Sequence, residues 1–254
     1  MDINLESLSS VELVLFFTIP ILYSLMLTVE FIASFSRVAG YVLEKNAISY
    51  TLQNSVMATT RFFSMALLPS IGFLIDHGIS KSLYLVIVLS SFVITSFGAF
   101  VVLLFRFRII TFFYNLILNY SSSGRLLYSV FLSLKNTESQ EDVSNFCRIS
   151  GIKFHRSITI NTLIIYTVHS LGVFLTFFLA LMFPSNQVMI TQTTGVMNAL
   201  GTLLLTLKLE PMISISIENR KDYKELFYNV FIVRMVIFLL ISPIIFSTIY
   251  FFNF

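Results

Sequence analysis

The chain has 254 residues, 56% hydrophobic and only 11% charged, with a mean hydropathy of +0.88. Soluble domains carry about 25% charged residues, so the composition excludes an ordinary soluble enzyme and points to an integral membrane protein. A formal net charge of +3 with no basic stripe speaks against a nucleic-acid partner, and the single cysteine, Cys147, excludes an internal disulfide and reads as an ordinary thiol.

Hydropathy does not alternate every second residue as in a membrane β-barrel. The expected fold is therefore all-α, since only helices or closed barrels satisfy the backbone in lipid. Asp2, Glu6 and Glu12 precede the first apolar run without any Lys or Arg. A signal peptide begins basic, so this run is expected to stay as a helix. Six spans follow, at about 11–35, 48–76, 82–105, 157–183, 187–209 and 228–252, each near or above the ~20 residues needed to cross. They form two three-helix halves, 1–105 and 157–254, joined by a connector at 106–156.

Loop cations set the expected orientation. With both termini outside, 13 Lys and Arg fall on the inner side, and only Lys81 on the outer. Arg37 and Lys45 lie in the first inner loop, seven cations in the connector, and Lys208, Arg220, Lys221 and Lys224 in the last inner loop. That asymmetry predicts a cytoplasmic connector. Its pieces FYNLILNY and RLLYSVFLSL, on either side of SSSG (121–124), read as interfacial amphipathic helices. Residues 136–142 read as an exposed loop.

The second span is the most polar. It carries Gln53, Asn54, Thr59, Thr60, Arg61 and Ser64. Asn54, Met57 and Arg61 follow an i, i+3, i+7 spacing, with Gln53, Thr60 and Ser64 flanking, so the polar groups are expected on one side of the helix. Arg61 sits about 13 residues into its span, ~20 Å deep at 1.5 Å per residue. A guanidinium there costs roughly 2.5–3.5 kcal/mol on insertion scales. It reads either as an anion site, since guanidinium binds phosphate bidentately, or as a structural cation bonded to carbonyls or a carboxylate.

Glu30 is the one carboxylate well inside an apolar run, a heptad before Arg37. Arg234 enters the sixth span about two turns from its start. A Glu30–Arg234 or Glu30–Arg61 pair would lower the burial cost of both members, as a structural pair or as part of a substrate path. His169, near the middle of the fourth span, reads as a packed neutral histidine or a titrating one. The fifth span carries Thr191, Gln192, Thr194, Gly195, Asn198, Gly201 and Thr202. These permit close helix approach, with Asn198 facing a cavity as the alternative.

LPSIGFLID (68–76) parallels EPMISISIE (210–218): Pro69 and Pro211 lead, Asp76 and Glu218 close, and SVMA (55–58) parallels GVMN (195–198) upstream. Three spans per half would place these repeats in opposite orientations, a transporter architecture with its site at mid-membrane. The chain has no P-loop and no His/Cys cluster for a metal, so no cofactor is expected. SSSGR (121–125) reads as a polar turn.

Glu30, SRVAG (36–40), Asn54 with TTR (59–61), PSIGFLID (69–76) and GTLLLTLKLEP (201–211) together resemble the Amj family of lipid II flippases. These are six-span proteins that substitute for the unrelated MurJ flippase. The order and spacing of the pieces, within about half of the chain, carry the resemblance. It implies movement of an undecaprenyl-pyrophosphate-linked cell-wall precursor from the inner to the outer leaflet of a bacterial plasma membrane. No covalent step or cofactor is implied; the partners are a lipid-linked glycan and membrane lipids. On this reading Arg61 neutralises the pyrophosphate, helped by Arg37 at the cytoplasmic mouth and by Arg234. Asn54, Gln53 and Asn198 bond sugar or phosphate oxygens, Glu30 pairs with an arginine in the empty site, and His169 lies nearby. YVLEK follows SRVAG where a more basic stretch is expected, which leaves another undecaprenyl-linked glycan, an O-antigen or capsule unit, open as cargo. Two other classes stay open: a polyprenyl-phosphate-processing enzyme, for which the spans offer only Glu30 and His169 as acid or nucleophile, and a structural membrane subunit with paired charges.

Overall fold

The computed structural model describes residues 8–135, 141–148 and 153–252. Asp2, Glu6 and residues 136–140 of the expected loop lie outside them. Among the described residues every regular element is helical, and six helices are long and apolar enough to cross a membrane: α1 (Ser10–Leu43), α2 (Asn46–Asp76), α3 (Lys81–Leu104), α7 (Arg156–Met182), α8 (Pro184–Glu218) and α9 (Tyr223–Phe252). Between α3 and α7 lie α4 (Arg106–Ser123), α5 (Leu126–Lys135) and α6 (Glu141–Cys147). The chain is thus an all-helical membrane protein with the six spans its hydropathy predicts.

Three boundaries differ from expectation. Helix α1 runs past residue 35 to Leu43, α8 runs past 209 to Glu218, and α9 begins at Tyr223. Arg37, expected in a loop, is therefore inside α1, and Lys208 is inside α8. A charge alone does not end a helix. What ends α1 is Glu44, in the left-handed region at φ 59°, followed by Lys45, whose N–H donates to the Gly40 carbonyl at 2.9 Å. The next turn, at the end of α2, uses Gly78 at φ 71°, where a side chain would be strained. The Gly78 N–H then reaches Ile75 O (2.9 Å) and the Ile79 N–H reaches Leu74 O (3.1 Å).

Contacts group the chain into two units. One comprises residues 1–25, 62–97 and 153–254; the other comprises 26–61 and 98–152. In the first, α7 is the most enclosed span, with 61% of its most apolar stretch buried. Tyr23 and Tyr84 donate their hydroxyls to the Ser170 and Phe174 carbonyls, each at 2.9 Å. The Ser170 and Ser242 hydroxyls meet at 2.6 Å. Phe174 packs against Tyr23 (4.6 Å) and edge-on to Phe92 (5.6 Å), while Phe178 meets Phe246 at 5.5 Å. Helix α8 lies along α7 through one narrow seam, Thr194, Gly201 and Leu209. The Thr194 and Thr176 hydroxyls are 2.8 Å apart there.

Two stretches leave the α-helical ladder for π turns, Leu205–Leu209 in α8 and Ile237–Ile241 in α9. Each ends two residues before a proline, Pro211 and Pro243. Proline has no N–H to donate, and its ring crowds the carbonyl four residues back. A wider turn relieves both conflicts without breaking the rod.

In the second unit, α1 and α2 approach closely at Gly40. A Cβ placed there would overlap the Ser49 side chain, and the Ser36 hydroxyl donates to the Ser49 carbonyl at 3.1 Å. Helix α6 is fixed by the Arg106 Nε donating to the Cys147 carbonyl (3.1 Å) and by Tyr41 against Phe146 (6.2 Å between rings). Burial and then the nearby Asp142 carboxylate push the Tyr114 phenol on α4 above its ordinary range.

Gly40→Ala is expected to lower stability by about 1–3 kcal/mol, the usual cost of overpacking. Thermal unfolding in detergent measures it, and adding Ser49→Gly to the same chain should restore most of the loss.

Candidate functional site

The polar residues of the second span divide into two sets. Gln53 is buried at 8% exposure, while Thr60 and Ser64 are half-buried. Asn54, Ala58, Arg61 and Met65 lie on the exposed face at helical spacing. The single polar side expected from the sequence is thus a buried flank next to an exposed stripe. Gln53 Nε2 donates to the Met57 sulfur at 3.7 Å, and its Oε1 is buried without a hydrogen bond. Among the described residues of this unit, none hydrogen-bonds or ion-pairs with Arg61. Its charge stands in an apolar span, open to whatever surrounds the helix.

Arg37 behaves differently. It is 6% exposed, and its guanidinium carbon lies 4.6 Å from the centre of the Tyr50 ring. A cation over an aromatic face is worth about 0.5–2 kcal/mol, more when desolvated. Arg37, expected at the cytoplasmic mouth, is a packed cation between α1 and α2. Glu30 lies two turns earlier on α1, half-buried. Glu30, Arg37, Gln53, Asn54 and Arg61 all belong to this second unit.

Arg234, His169 and Asn198 belong to the first. Arg234 is 5% exposed, with its guanidinium 4.2 Å from the Tyr166 ring centre. The same Tyr166 ring stands edge-on to His169 at 6.5 Å. Gly201 of α8 lies against the histidine: a Cβ there would be 3.4 Å from His169 Nδ1, an ordinary contact. Arg234, Tyr166, His169 and Gly201 therefore form one cluster on α7, α8 and α9. The floor beneath it is apolar, with Ile165, Leu209, Val230, Val233 and Ile237. Asn198 is half-buried, and its carbonyl accepts from the Thr202 hydroxyl at 2.9 Å.

Sequence reasoning missed Tyr166, Asn229 and Thr159. Tyr166 gave no signal, because a tyrosine in an apolar run resembles any other large side chain until its partner is known. Asn229, fully buried in α9, accepts from the Thr159 hydroxyl at 3.1 Å. An asparagine one step inside the expected start of the sixth span was the available signal.

Of the three arginines well inside the spans, Arg37 and Arg234 are covered by aromatic faces, and Arg61 is exposed. Comparison of the chain with protein-family models, with curated proteins and with solved structures finds no match.

Tyr166→Leu is expected to cost about 1–2 kcal/mol from the lost cation–aromatic contact, whereas Tyr166→Phe keeps the ring and most of the stability. Thermal unfolding of both variants beside the wild type separates the face of the ring from its hydroxyl.

Proposed function

We propose that the chain is a lipid-linked oligosaccharide flippase. It moves an undecaprenyl-pyrophosphate-linked cell-wall precursor, lipid II, from the inner to the outer leaflet of a bacterial plasma membrane, with both termini outside. The observation that carries this reading is Arg61, exposed in an apolar span with no bonded partner among the described residues of its unit. A structural arginine in such a span hides its charge against carbonyls, carboxylates or rings, as Arg37 and Arg234 do against tyrosines. An exposed one calls for an anion from outside the protein. A pyrophosphate head group fits, because its oxygens accept the fork of guanidinium donors in pairs. The resemblance of its motif order to the Amj family supports the same cargo.

Asn54 lies on the same exposed stripe as Arg61, two turns away, and bonds oxygens of the passing head group. Arg37, in the same unit, is a packed cation whose field attracts the anion without touching it. The prenyl tail stays in lipid throughout. Transport needs no covalent step: moving one negative charge outward across 100 mV, inside negative, releases about 2.3 kcal/mol.

The test is transport of a fluorescent undecaprenyl-pyrophosphate glycan in proteoliposomes by wild type, Arg61→Ala and Arg61→Lys. Arg61→Ala is expected to cut the rate at least about tenfold while unfolding stays within about 0.5 kcal/mol of wild type, as for an exposed side chain. Arg61→Lys, a point charge without the fork, should fall between. A folded Arg61→Ala variant that transports normally removes Arg61 from the site. A wild type that moves no tested lipid overturns the function.

A further inference from the structure

Helix α5 is built inside out for a water-soluble element. Its protein-facing side is serine: Ser129 and Ser133 are buried. The Ser129 and Ser123 hydroxyls meet at 2.9 Å, Ser129 donates to the Arg125 carbonyl at 2.8 Å, and Ser133 accepts from the Asn119 amide at 3.0 Å. The pairs 123–129 and 119–133 fix α4 and α5 as an antiparallel hairpin with a polar seam. The outward side carries Leu127 (84% exposed), Tyr128, Phe131 (71% exposed) and Leu134.

Ten residues of helix span only about 15 Å, half the hydrocarbon thickness, so this apolar face is not that of a crossing helix. Its ends are basic, with Arg125 just before the helix and Lys135 at its last residue, both exposed. No Asp or Glu occurs from 77 to 137. An apolar face with a cation at each end complements one kind of surface: acyl chains below and anionic head groups above.

We infer that α5 docks into the membrane surface, burying Leu127, Tyr128, Phe131 and Leu134 among the acyl chains while Arg125 and Lys135 engage the phosphates of anionic lipids. The helix lies in the interface plane and anchors the α4–α5 hairpin to the bilayer.

The chain contains no tryptophan, so Phe131→Trp supplies a lone fluorescent reporter on the docking face. The full-length variant is reconstituted into vesicles of zwitterionic lipid alone and of zwitterionic plus anionic lipid, with brominated acyl chains as quenchers. Bromine quenching at shallow depth, at least about twofold stronger in the anionic vesicles, is the expected result. Adding Arg125→Gln and Lys135→Gln should abolish that difference while circular dichroism and gel filtration remain unchanged. Leu127→Trp, one turn away on the same face, serves if Phe131→Trp does not fold. Water-like emission quenched by acrylamide overturns the docking. Equal quenching in both lipids overturns the anionic requirement. Emission that shifts with protein concentration and ignores brominated lipid assigns the face to a second copy instead.

Discussion

Two tyrosine hydroxyls bonded to carbonyls of one helix organise the first unit. Lipid tails are as apolar as leucine, so helices in a bilayer gain little from hiding apolar surface against each other. Close packing and hydrogen bonds must hold them instead. Tyr23 and Tyr84 reach the Ser170 and Phe174 carbonyls of α7, one helical turn apart. Each bond fixes a large ring against the same helix, and the aromatic core of Phe92, Phe174, Phe178 and Phe246 fills the space between. Helix α8 packs along α7 through Thr194, Gly201 and Leu209 and leaves most of its own surface uncovered, with 17% of its most apolar stretch buried.

The arginines of the spans divide along the same physical line. Arg37 and Arg234 each lie under an aromatic face and are buried. A guanidinium is weakly hydrated and flat, so a tyrosine ring recovers part of what desolvation removes. Arg61 has no such cover in its unit. The proposed transport function grows from that contrast rather than from the presence of charge in a membrane.

How much of this was legible in the chain depends on the physics behind each feature. The six spans were legible because length and apolar content decide whether a helix can cross. The end of α1 was not: Arg37 read as a loop cation, and only the Ser49 side chain lying where a Cβ would stand explains why Gly40 sits inside that helix. The polar content of α2 was legible, but its division between a buried Gln53 and an exposed Arg61 was not, since adjacent residues lie about 100° apart on a helix and packing decides which flank is covered. The amphipathic character of RLLYSVFLSL was legible too. Which face meets the protein was not, because periodicity marks two faces without saying which neighbour each will have. The aromatic partners of Arg37 and Arg234 were missed for a related reason: cation–aromatic contacts join different helices and leave no local spacing.

The π turns have a consequence for register. Along α8 the residues sealed against the protein are Thr194, Gly201, Leu209 and Ile217, and the step from Gly201 to Leu209 is eight positions where the one before it is seven. Along α9, Phe231, Phe238 and Phe246 are likewise buried, again seven and then eight apart. In α8 the step from Gly201 to Leu209 contains the π segment, and in α9 the step from Phe238 to Phe246 overlaps it. Each wide turn therefore acts as a single inserted residue, absorbed as a local bulge so that the buried stripe continues straight beyond it. Removing one residue from either segment would return the rod to uniform pitch, and every side chain past that point would be turned by about 100°. The two bulges are phase corrections, and the second half of each helix keeps its inward face because of them.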